Sequence, residues 1–185
     1  MTLNCALAAC AGGSAQLGGT PPAAGDWKIE QRADRVSNKP QYSALLVTRA
    51  RNANAAKGLP ATAPMLASLQ LLCFDHGPVV RLHFTFDVGS NRNARLAYRF
   101  DNNPGRDING RILRDYQTIV IEEKDDITRF TDEMRTSGKL HVQVLSLIGG
   151  ASTAEFKVEG AAQAIDTAYS ACPLPTSPRS RVSGA

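Results

Sequence analysis

The sequence predicts a mainly β (α+β) fold: an antiparallel β-sandwich or open barrel with one inserted helix and one C-terminal helix. Two stretches carry the prediction for the sheet, VVRLHFTF at residues 79–86 and ARLAYRF at residues 94–100. Apolar and polar residues alternate in both with the period of two that a half-buried strand requires. Two later stretches repeat their apolar residues at helical spacing instead, and turn-forming residues separate all of these segments. The chain of 185 residues is long enough for one domain.

The first 26 residues are predicted to be the remnant of a signal followed by a flexible tether. Leu7-Ala8-Ala9-Cys10 matches the short box at which bacterial lipoprotein signals are cleaved, which predicts acylation of Cys10. The alternative is a plain alanine-rich leader, since the six residues before the box contain no Lys or Arg and are too few for a secretion signal. Residues 11–26 are rich in Gly, Ala and Pro, as flexible tethers are.

The domain itself is predicted to span residues 27–172. The segments 45–47 and 119–121 are apolar at every position, which predicts strands that are covered on both faces. The alternation breaks near residues 145–147, which predicts a bulge or the end of a strand. Eight strands are predicted in all, at residues 27–36, 41–49, 66–74, 79–86, 94–100, 116–123, 139–147 and 154–160.

Two helices complete the predicted domain. The inserted helix, at residues 124–138, carries Asp125 and Asp126 in its first turn, where carboxylates stabilise a helix. The C-terminal helix, at residues 160–172, places four apolar or weakly polar residues on one face: Ile165, Ala168, Tyr169 and Cys172. Residues 173–185 show no periodicity and are predicted to be a disordered tail.

Two of the four cysteines lie inside the predicted domain. Cys73 shares a strand face with Leu69 and Leu71, and Cys172 lies on the apolar face of the last helix, so both are expected to point into the core. In an exported protein this placement predicts a disulfide between them. In a cytosolic protein the two would instead be buried thiols that act as small apolar side chains.

The order of these segments resembles that of a known family. A strand ends in Cys (LQLLCF), another carries an Arg-x-Asp turn before Pro (YRFDNNP), and the strand AEFKVEG precedes a short helix that closes on Cys. Over roughly residues 27–172 this arrangement resembles the VasI-like periplasmic accessory proteins encoded beside type VI secretion systems. The resemblance implies an exported, disulfide-bonded domain without catalytic residues. Its location would be the periplasm, or the outer membrane if Cys10 carries a lipid anchor.

Residues with catalytic or metal-binding chemistry are few. A small enzyme using His76, His83 and His141 would need these side chains to converge with a carboxylate, and their spacing gives no sign of this. The segment DNNPGRDINGR, at residues 101–111, has oxygen ligands but lacks the Gly and Glu positions of a calcium loop, so a hairpin turn is predicted there. We therefore predict no catalytic residue, metal or cofactor.

Two charged surfaces are predicted instead. Arg95 and Arg99, with Arg81 on a strand expected to lie nearby, form a basic outer sheet face, and Asp125 and Asp126 give the inserted helix an acidic one. The basic face could alternatively hold an anionic envelope polymer or nucleic acid, but no aromatic side chain shares it, so stacking on bases is not expected. The sequence therefore predicts a non-enzymatic accessory or structural subunit of the bacterial envelope that binds a protein complex and not nucleic acid.

Overall fold

The computed structural model describes residues 25–33, 35–55, 63–75 and 77–174. The mainly β class, with one inserted and one C-terminal helix, is confirmed. The predicted lipidation site at Cys10, His76 and the predicted tail beyond residue 174 lie outside the described residues. In chain order the elements are β1 (Lys28–Ala33), β2 (Pro40–Asn52), β3 (Leu66–Phe74), β4 (Gly77–Phe84), β5 (Ala94–Phe100), β6 (Arg106–Ile108), β7 (Arg111–Ile112), β8 (Thr118–Ile121), α1 (Lys124–Arg135), β9 (Lys139–Ser146), β10 (Gly150–Lys157) and α2 (Ala161–Ala168).

The strands form one curled antiparallel sheet in the order β6-β5-β9-β10-β2-β3-β4-β8-β7, with β1 also paired to β2. Strand β2 pairs with two strands along one of its edges. Its first half pairs with β1 and its last residues pair with β10. Strands β6 and β7 are consecutive pieces of one segment, and they pair with β5 and β8 at the two ends of the order. Both ends of the sheet therefore meet near residues 109–110.

The core lies on the inner face of this curled sheet. The residues predicted to face inward on β4 and β5 are buried, among them Phe84, Tyr98 and Phe100. Helix α1 covers them, and the ring of Phe130 lies 5.0 Å from that of Tyr98 and 5.3 Å from that of Phe100. Ile127 and Met134 of the same helical face are buried as well. The apolar faces predicted from strand alternation and from helical spacing therefore pack together in one core. No helix in the described ranges is both long and apolar enough to cross a membrane.

The chain after α2 is joined to the sheet by a hydrogen bond and a covalent bond. Tyr169 donates its hydroxyl to the carbonyl oxygen of Val79 at 3.0 Å, inside the core. Burial raises the pKa of the Tyr169 phenol, so this group is a neutral donor. Cys172 forms a disulfide with Cys73, and their Cα atoms lie 5.9 Å apart. The predicted pairing is confirmed.

The structure differs from the sequence-based strands at two places and agrees with them at a third. Residues 119–121 are buried throughout, as predicted, but Val47 is 58% exposed, so the prediction that residues 45–47 are covered on both faces was wrong. The break near residues 145–147 is the end of β9, followed by a turn. The segment at 101–111 contains the short strand β6 and the first residue of β7 as well as turns, because its backbone completes pairing at both ends of the sheet.

Candidate functional site

The three arginines predicted to share one basic face lie on two parts of the sheet. Arg81 is on β4 and Arg95 and Arg99 are on β5, and four other strands separate β4 from β5 in the sheet order. The prediction that Arg81 lies close to Arg95 and Arg99 was therefore wrong. Residues 85–93, which connect the two strands, form no tight hairpin turn, so strands that follow each other in the chain are not neighbours in the sheet.

Two of these arginines contact polar side chains on neighbouring strands. Arg81 donates a hydrogen bond to the side-chain oxygen of Gln70, and Arg95 forms an ion pair with Asp107. Arg99 differs, because it forms no ion pair or hydrogen bond through its side chain with any residue in the described ranges. The nearby carboxylate of Asp101 instead accepts hydrogen bonds from the backbone N–H groups of Gly138 and Lys139, the latter at 2.9 Å.

Arg99 faces an open groove of about 1100 Å³ on the outer face of β5, β9, β10 and β2. Strand pairing sets its floor: Arg99 lies opposite His141, which lies opposite Glu155. The adjacent row across the four strands consists of Ala97, Gln143, Thr153 and Arg51. Ala97 and Thr153 are the small side chains of this row. Strands β2 and β5 lie about 14 Å apart, three strand spacings, so arginines flank the groove on both sides.

The groove carries an excess of positive charge. We call it the basic groove; its cationic lining residues are Arg49, Arg51, Arg99 and Lys157. None of these four forms an ion pair with another residue that the structure describes. Two carboxylates, Asp26 and Glu155, also line it. Uncompensated cations in a concave surface attract anions, because the low-dielectric walls concentrate their field.

Glu155 is occupied by neighbours on the groove floor. Its carboxylate lies 3.1 Å from Lys139 Nζ and 3.3 Å from His141 Nδ1. The hydrogen bond from Lys139 is the main effect that lowers the pKa of Glu155, against the smaller opposing effect of burial, and the charges of Lys139, His141 and Arg51 lower it further. The negative charge of Glu155 therefore compensates the charge of Lys139 more directly than it compensates the charges of the arginines.

The two histidines in the described ranges do not converge. His83 lies on β4, where its Nδ1 is 3.1 Å from Thr118 Oγ1, and His141 lies on β9 in the basic groove. Four strand spacings, about 19 Å, separate β4 from β9. Within the described ranges, no group of three or more His, Cys, Asp or Glu side chains is arranged to hold a metal ion.

The acidic surface predicted on α1 is partly neutralised. Asp125 is exposed, but Asp126 pairs with Arg129 at 2.6 Å, and Glu133 pairs with Arg106 of β6 at 3.3 Å. A second hollow, of about 570 Å³ beside β6 and β7, is lined by two ion pairs, Arg95 with Asp107 and Arg111 with Glu122, and by Glu123. Of the two hollows, the basic groove is the one whose four cations lack ion-pair partners in the described ranges.

Sequence reasoning found Arg99 but missed the rest of the basic groove. The segment TRARN at residues 48–52 alternates, and it places Arg49 and Arg51 on the outward side of β2. That alternation could have identified an outward basic pair. It could not have shown that β2 lies beside β10, β9 and β5, which brings the pair to Arg99.

No protein-family model matches this chain, and no curated protein matches it in sequence. A structural similarity was found with invasion associated protein B from Bartonella henselae, whose crystal structure aligns with a TM-score of 0.47 at 11% sequence identity. The alignment covers 80% of this chain and 94% of that protein.

Proposed function

We propose that this protein is a non-enzymatic binding subunit of the bacterial envelope, and that the basic groove docks an acidic segment of a partner protein. The observation that carries the proposal is the set of four cationic side chains that share one open face without ion-pair partners in the described ranges. Such a surface steers an acidic partner during encounter and sets its orientation. The flanking arginines also offer forked donors that match carboxylates.

The proposed location is the periplasm, or the outer membrane with Cys10 as the acylated residue. The disulfide between Cys73 and Cys172 supports an oxidising compartment, where such bonds form and persist. The Leu7-Ala8-Ala9-Cys10 box supports a lipid anchor. An accessory role beside a type VI secretion system, implied by the VasI-like resemblance, is part of this proposal and rests on the sequence segments that carry the resemblance.

The proposal is tested with a charge-reversed groove. We expect Arg51→Glu/Arg99→Glu to abolish cross-linking of the native envelope partner to the tagged protein in cells that produce it, because two attractive contacts become repulsive. The matched control is Arg92→Glu/Arg114→Glu, which changes net charge equally at two exposed arginines in turns outside the groove. The control variant should keep the partner. With the purified pair, the association rate of the wild type should fall steeply with salt.

Equal recovery of the partner by both double variants would contradict the proposal. An anionic polymer would give a different pattern. Inorganic polyphosphate would then compete fully for the groove, and binding would depend on the cations alone.

A further inference from the structure

An apolar strip lies beside the basic groove on the same strand. Residues that point outward along β9 are His141, Gln143 and then Leu145, and β9 leads into a turn that holds Leu147 and Ile148. Leu145 is 47% exposed, Leu147 is 90% exposed and Ile148 is 81% exposed. We call these three residues the apolar strip. The other large exposed apolar residues in the described ranges, such as Phe74, do not form a comparable run along the chain.

The apolar strip is held in place by hydrogen bonds to two other parts of the chain and by hydrogen bonds within its own turn. Leu147 donates its backbone N–H to Asn93 O at 2.9 Å, and the N–H groups of Ile148 and Gly149 point to Ser146 Oγ. The carbonyl of Gly149 accepts from the buried Asn52 amide at 2.9 Å. The exposure of the strip is therefore a fixed property of the fold, and a partner that covers it need not order the turn first.

The basic groove and the apolar strip follow each other along β9, so a charged surface lies next to an apolar one. Leu145 lies two residues beyond Gln143, about 7 Å, and about 14 Å beyond His141. Its strand neighbours are Arg95, which is paired with Asp107, and Ala151, which is small. No uncompensated charge therefore lies between the groove and the strip at this point.

We propose that the acidic partner segment is extended and carries a large apolar side chain, which covers the apolar strip while its carboxylates lie in the basic groove. An extended chain spans about 14 Å in about four residues, which sets the spacing between the last carboxylate and the apolar anchor. This inference rests on the proposed function and adds which residue types the partner segment contains and how they are spaced. A protein segment fits better than a single lipid, because the strip lies on a projecting turn without walls to enclose an acyl chain.

The probe is a fluorescent Glu-rich peptide with two leucines about four residues beyond its last glutamate. Its matched peptide has serine in place of both leucines. Binding is measured by anisotropy to the full chain carrying Cys10→Ser, so that no acyl anchor contributes. The wild-type domain should bind the leucine peptide at least about tenfold more tightly, the change expected when a leucine side chain leaves water.

The variant Leu145→Ser/Leu147→Ser should bind both peptides equally, at the affinity of the serine peptide. It replaces exposed side chains, and an unchanged melting temperature verifies its fold. The control Phe74→Ser removes an exposed apolar residue at the far end of β3 and should keep the preference for leucine.

The outcomes separate this inference from the proposed function. Equal wild-type affinity for both peptides, with loss of both in Arg51→Glu/Arg99→Glu, overturns the role of the strip and leaves the groove intact. Binding of both peptides unaffected by the charge reversal overturns the proposed function itself. Binding to phosphatidylglycerol vesicles that is lost in Leu145→Ser/Leu147→Ser, without a peptide preference, identifies a membrane contact and overturns the inference.

Discussion

At the scale of single residues, Asp115 shows how one carboxylate fixes a turn. It accepts hydrogen bonds from Thr118 Oγ1 at 2.6 Å and from the backbone N–H groups of Thr118 and Gln117 at 3.0 and 3.1 Å. The turn includes Tyr116 at a φ of 58°, a region that residues with a side chain rarely adopt. Burial opposes ionisation of Asp115, but these hydrogen bonds outweigh it and lower its pKa.

Asp115→Asn should therefore destabilise the protein at neutral pH and lose that effect in acid. A carboxylate whose pKa is lower when folded stabilises the fold above its unfolded pKa of about 4, and this contribution is lost as pH falls through the folded pKa. Urea unfolding of both proteins at neutral pH and near pH 3 measures the difference. Asp26→Asn, at an exposed position before β1 and outside any helix, is the control and should change little at either pH. A destabilisation that persists unchanged in acid would contradict a stabilising role for the ionised Asp115 carboxylate.

At the scale of elements, α2 depends on more than its own packing. Three of its four buried residues are alanines, Ala161, Ala164 and Ala168, and a buried methyl group removes little apolar area from water. Ile165 is the larger buried side chain of the helix. The chain beyond the helix adds the hydrogen bond of Tyr169 and the bond from Cys172 to Cys73. The disulfide therefore compensates for a short helix with a small apolar contact.

Cys73→Ser/Cys172→Ser should lower the free energy of unfolding by up to about 4–5 kcal/mol, the chain-entropy value for a loop of this length. The two cysteines are 99 residues apart in sequence, so the bond restricts a large part of the unfolded chain. Urea unfolding measures the loss, and hydrogen exchange should show the amides of α2 less protected. Reductant should destabilise the wild type by a similar amount and leave the variant unchanged. Equal stability of the two proteins without reductant would contradict this account.

At the scale of the whole molecule, the curled sheet is completed where β6 meets β7. Ile108 pairs with Leu96 on one side of this junction and Ile112 pairs with Ile119 on the other. Gly110 lies between the two pairs. A Cβ atom there would lie 2.6 Å from Ile119 Cγ2 and 3.0 Å from Leu96 Cδ2. Both neighbours are buried side chains of the core, so the two ends of the sheet approach each other closely only because this position has no side chain.

Gly110→Ala should destabilise the protein by about 1–3 kcal/mol, the usual cost of overpacking a core. The methyl group must displace Ile119, which is fully buried and has little room to move. Gly105→Ala is the matched control, because a Cβ there would lie no closer than 3.8 Å to Tyr98 O. Urea unfolding of the two variants makes the comparison. Equal effects of the two substitutions would show that closure does not depend on Gly110.

The sequence by itself determined the faces of the strands and helices. Alternation correctly placed Phe84 and Tyr98 inside and Arg99 outside, and helical spacing correctly placed Phe130 against the core. The inward positions of Cys73 and Cys172, taken together with the assumption of export, predicted their disulfide, which is confirmed. These properties are local, because the direction of a side chain follows from the geometry of its own strand or helix.

Only the tertiary structure decided which strands are neighbours. Arg51 and Arg99 share a groove because β9 and β10, formed by residues far along the chain, lie between β2 and β5. Arg81 and Arg99 lie on consecutive strands of the chain and yet are far apart in the sheet. The alternating pattern is the same for any partner strand, so it carries no information on pairing. Pairing depends on how the whole apolar face closes around one core, and the chain reaches that arrangement only when all of its elements are in place.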